Sequence, residues 1–259
     1  MKGRLEELLD REHGDEREAV LRAETHEELP AGAWQAVTYV GHFAHWRHVL
    51  GLRVAALTAG EEVGPAPADI EAENEQHLAR DRQTLPADLT NEWQESWAQM
   101  HQWLRSCSGE DLLRDPIWFG AANVGVAILR NSYTHPRDHL VDFWLDRDDR
   151  ERAAELCADL SAVTGEFADL HPRFPSAHLF YRGLALAIRG EAAHAVDSLK
   201  EAVKLRSDLV EPLREERRLA FVRELPGFEE IVASECWEEG VGAGPESNCR
   251  LVRIAETAQ

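Results

Sequence analysis

The spacing of apolar residues constrains this chain more than any other feature. Trp93, Trp97, Met100 and Leu104 recur at intervals of three and four, and Leu5, Leu8, Leu9, Val20 and Ala23 are the apolar points of an acidic amphipathic stretch over 3–24. Residues three and four apart share one face of an α-helix, whereas a strand alternates its faces. No alternating run bounded by turn chemistry competes with the helical pattern. The chain is therefore predicted to be all-α. Pro30 and Gly32 close the first helix, and a second runs from about Trp34 to Ala59, stopped by Gly60. After Asp69 comes a polar helical stretch that reads as lying across a surface. A third long helix covers 88–106 and a fourth runs from about 121 to 145. The Trp/Met stripe of the third helix reads as core packing.

With 259 residues the chain has room for two modest domains. The charged run "DRDDRER" at 146–152 marks the boundary between them. Beyond it the texture changes: Gly183, Gly190, Ala195 and Ala202 interleave with Leu179, Leu186, Leu199 and Leu205, which puts small residues where two helices must touch. Over 177–207 this resembles one tetratricopeptide (TPR) repeat, a helical hairpin. The expected organisation is an up-and-down four-helix bundle over 1–147, a TPR-like helical domain over 148–235 and a loose Gly-rich tail over 236–259.

The net charge of −20 argues against phosphate backbones and anionic lipid as partners. No apolar run approaches the roughly 18 residues of a membrane span. The N-terminus has no signal-peptide core, and the four cysteines show no CxxC spacing, so the expectation is a cytoplasmic protein with free thiols. There is no P-loop, HExxH or nucleophile elbow.

Histidine carries the chemical signal. In "YVGHFAHWRHVLGLR" the predicted inward face holds Thr38, Gly41, His42, His45, Val49, Leu52 and Ala56, with Trp46 at one edge and His48 at the other. On the fourth segment the same construction groups Val124, Ile128, Asn131, Ser132, His135, His139 and Asp142. Polar groups on a core stripe are expensive unless they pair. One reading is a divalent-metal site, zinc or nickel, held by His42, His135 and His139, with open coordination positions for chemistry. The other is a metal-free pocket in which Asn131, Asp142 and water complete the hydrogen bonds and a histidine acts as general base. Asp142 reads either as an acceptor orienting an imidazole or as a solvated acid at a helix end. His45, Asn131 and Trp46 are expected to line the same pocket. Pro136 stands between the paired histidines, and a helix starting there would place it in a first turn, where its missing N–H matters least.

Trp34 followed by His42 in "WQAVTYVGHFAHW", with the later histidine pair, resembles the signature of DinB-like four-helix bundles. The stretch "HFAHWRHVLGLRVAALTAGEE" and the Asn of "AENEQHL" resemble the ClbS/DfsB-type branch. The resemblance implies a metal on His42, His135 and His139. It also implies a small-molecule ligand in the bundle and hydrolase or thiol-dependent transferase activity of a detoxifying, self-protective kind. The competing expectation is a non-catalytic scaffold that binds a protein partner through the TPR-like hairpin.

Overall fold

The computed structural model describes residues 1–233 except 24, 26, 32, 65–68, 116–120 and 221. The tail expected over 236–259 lies outside them. Among the described residues every regular element is helical, and no helix is long and apolar enough to cross a membrane. The chain divides into two compact units, Met1–Arg147 and Asp148–Gln259.

The first unit contains α1 (Lys2–Arg22), α2 (Ala36–Ala59), α3 (Ile70–Asp81), α4 (Pro86–Ser106), α5 (Val124–Leu129) and α6 (His135–Leu145). Local chemistry explains most of these limits. Asp69 caps α3 by accepting from the Ala72 N–H, and Asn123 caps α5 by accepting from Val126 N–H at 2.9 Å. Pro86 occupies the first turn of α4, and Gly60 takes the left-handed conformation (φ 74°) that ends α2. Helix α2 is the hub: it packs against α1, α3, α4 and α6, and α1 also meets α4 and α6.

Two expectations about faces are corrected. Leu52, placed on the inward face of α2, is 58% exposed, while Tyr39, Val40, Phe43, Trp46, Arg47 and Leu50 are buried. Four neighbours cover the first half of α2, so most of its circumference is interior and a single-face construction loses its phase. Helix α3 does not lie across a surface: Asn74, His77, Leu78 and Asp81 form a buried stripe.

A charged layer crosses the interior of this unit. Glu12 and Glu16 continue the α1 stripe begun by Leu5, Leu8 and Leu9, and both are fully buried. Glu16 Oε2 accepts from the indole N–H of Trp93 (2.6 Å) and Trp97 (2.8 Å), and its Oε1 pairs with Arg47. The Arg47 guanidinium also lies 3.7 Å over the Trp97 ring. Arg137 donates from Nε to Glu12 at 2.8 Å and pairs with Asp15.

The second unit, over its described part, contains α7 (Arg150–Glu166), α8 (Phe174–Ile188), α9 (Ala192–Leu205), α10 (Val210–Glu215) and α11 (Pro226–Ala233). Helix α8 packs on both α7 and α9, and α11 packs on α9. A Cβ at Gly183 would stand 2.7 Å from the Leu199 side chain, so that glycine permits the close approach of α8 and α9. Gly190 has a different role from the one expected. Its φ of 82° makes it the turn between these helices, not a contact point.

Candidate metal centre

Helix α5, a π turn over Arg130–Thr134 and α6 follow one another without a break. In the π turn the N–H of His135 bonds to the carbonyl of Arg130, five residues back. Inside an ordinary helix Pro136 would clash with the carbonyl of Ser132 four residues earlier. The wider turn relieves that clash and leaves Pro136 in the first turn of α6. The helix therefore neither stops near Asn131 nor restarts at the proline; it widens and continues. Thr134 Oγ1 donates to the Arg130 carbonyl at 3.1 Å, while Ser132 Oγ is buried with no hydrogen-bond partner among the described residues. Asn131 ties the π turn to α2 by donating from Nδ2 to the Trp46 carbonyl at 3.0 Å.

The result is a histidine cluster between α2 and α6. His42 Nε2 lies 3.0 Å from His135 Nε2. The rings of His42 and His139 are centred 4.9 Å apart and those of His135 and His139 4.7 Å apart. His42, His135 and His139 each offer a ligand nitrogen, and these nitrogens all lie within 4.8 Å of one another. His42 is buried; the other two are half-buried. Trp34, just before α2, stacks on His139 with 5.6 Å between ring centres and 17° between planes, and meets His42 edge-on.

Burial, reinforced by the neighbouring imidazoles, holds His42 well below the ordinary histidine range. Burial and then His139 push His135 down to about 3. Both rings are therefore neutral at physiological pH, the form in which imidazole ligates a metal. The three nitrogens lie close enough together to hold one metal ion.

The other expected pocket residues separate. Trp46 is buried and donates from Nε1 to Asn74 Oδ1 at 2.9 Å, and Asn131 holds backbone, so both act as supports for the cluster. His45 faces α3: its Nε2 lies 3.3 Å from Glu73 Oε1 and its ring stacks on His77 at 4.3 Å. Asp142 is half-buried one turn beyond His139 and is not among the groups whose ligand atoms converge. His77 escaped the sequence reading altogether. It is 4% exposed, with Nε2 3.3 Å from His42 Nδ1. The signal that could have found it is the stripe Asn74, His77, Leu78, Asp81 at helical spacing.

Set against protein-family models, curated proteins and solved structures, the chain finds no match.

Proposed function

We propose that the first unit is a DinB-like four-helix bundle of the ClbS/DfsB type in which His42, His135 and His139 hold a divalent metal, zinc or nickel. Its substrate would be a reactive or thiol-linked small molecule, and its activity that of a hydrolase or transferase serving detoxification or self-protection. The observation that carries this reading is the convergence of the three ligand nitrogens within 4.8 Å. When bound, the metal would supply a Lewis acid able to polarise a substrate group. The chain's own residues do the rest: burial keeps His42 and His135 neutral, Trp34 stacks against His139, and Asn131 fixes the π turn against α2.

A second reading assigns partner binding to the second unit as a TPR-like module with a protein ligand. It is favoured by the close Gly183–Leu199 approach between α8 and α9, of the kind TPR-like hairpins use.

Metal analysis and calorimetric titration of untagged full-length protein test the main reading. The expected result is one zinc or nickel per chain, lost in both His42→Ala and His139→Ala. A wild-type chain that takes up neither ion overturns it.

A further inference from the structure

His42 does not stand alone behind its ligating nitrogen. Its Nδ1 lies 3.3 Å from His77 Nε2, and His77 Nδ1 lies 3.5 Å from Asp81 Oδ2. Among the described residues neither of these buried atoms has a hydrogen-bond partner, and each faces the other. The carboxylate is held for this contact. Arg80 occupies its other oxygen from Nε (2.9 Å) and Nη2 (2.6 Å). On α2, Gly41 leaves room for it, since a Cβ there would stand 2.3 Å from Asp81 Oδ2.

We propose that Asp81 and His77 are positioning residues that fix the proton of His42 on Nδ1 and so turn its Nε2 lone pair towards the centre shared with His135 and His139. Asp81 accepts the Nδ1 proton of His77. The Nε2 lone pair of His77 is then free to accept the Nδ1 proton of His42. Each link orients the next, and the negative charge of the carboxylate raises the donor strength of His42 Nε2. The opposite arrangement would send an Nε2 proton of His77 to Asn74 Oδ1, 3.3 Å away. It would leave His77 Nδ1 and Asp81 Oδ2 as two buried lone pairs facing each other, which is the costlier arrangement. Asn74 Oδ1 already accepts from Trp46 Nε1 and has no need of that proton.

The inference builds on the metal reading, but its first test does not depend on it. Long-range proton–nitrogen NMR of histidine-labelled, metal-free full-length protein is expected to show His42 and His77 both protonated on Nδ1. A proton on His42 Nε2 overturns the proposal, whether or not any variant folds. The second test is a cobalt(II) titration followed by visible absorbance, with far-UV circular dichroism confirming that Asp81→Asn is folded. Asp81→Asn is expected to bind one cobalt per chain with affinity about 10–100-fold weaker than wild type. Equal affinity in the two proteins overturns the relay. Failure of the wild type to take up cobalt instead counts against the metal reading, and the NMR result then decides the relay alone.

Discussion

The first unit buries two polar layers that solve the same problem differently. In the charged layer, Glu12, Asp15 and Glu16 face Arg47 and Arg137, and two indole N–H groups complete Glu16. Fully ionised, that layer would carry one excess negative charge. Burial pushes Glu12 up to about 8, so Glu12 can hold the proton that balances it. The layer is closed in charge, although Glu12 Oε1 and Arg47 Nε are buried without a hydrogen-bond partner among the described residues. In the histidine layer the partners of His42 are other histidines, and burial holds His42 and His135 neutral. His42, His135 and His139 present ligand nitrogens within 4.8 Å of one another, close enough to hold a metal ion. A closed network reads as structure and an open donor set as a site.

The largest test of that contrast breaks the closed layer. Glu16→Ala leaves Arg47 buried without its carboxylate and two indoles without an acceptor. It is expected to cost about 3–5 kcal/mol in urea unfolding. A loss below about 1 kcal/mol would mean that the layer does not hold α1 to α2 and α4.

A second test uses pH, because the layers respond with opposite sign. Glu12 is raised in the folded state from an ordinary value near 4.5 to about 8. The folded protein therefore binds the extra proton in that window, and stability present below it is lost as pH rises through it. His135 is depressed from about 6.5 to about 3, so its contribution is present above 6.5 and lost as pH falls through that range. Each slope is bounded at about 1.4 kcal/mol per pH unit. Glu12→Gln keeps an oxygen for Arg137 and is expected to flatten the decline as pH rises from 4.5 to about 8, while His135→Gln is expected to flatten the decline as pH falls from 6.5 to about 3. Thermal unfolding across the pH range reads both. Unchanged profiles would show that neither group titrates abnormally.

The smallest effect is expected at the rim. Burial and then His77 push His45 down to about 4, so its contact with half-exposed Glu73 is not an ion pair at neutral pH. Glu73→Gln is expected to change stability by less than about 1 kcal/mol and to leave metal uptake unchanged. A larger effect on uptake would extend the open layer to include His45.

The sequence by itself determined where the helices lie and which histidines can meet along one helix. Periodicity, Gly60, Pro86 and the Asn123 and Asp69 caps act within a few residues, so the end of α2 and the starts of α3, α4 and α5 are set locally. The π turn that divides the segment over 121–145 into α5 and α6 is not evident from spacing. The spacing of His135 and His139 also survived, because the π turn ends before His135 and both residues ride on α6. What only the tertiary structure decided is which polar residues face inward. Nothing in the acidic stretch over 3–24 singles out Glu12 and Glu16 as interior, the polar sequence of α3 reads as lying across a surface, and a single-face construction misphases α2. The physical reason is the same in each case. These polar side chains are buried where partners wait on another helix. Arg47, Arg137, Trp93 and Trp97 wait for the carboxylates of α1, and His42 waits for His77; each such pairing joins residues far apart in the chain.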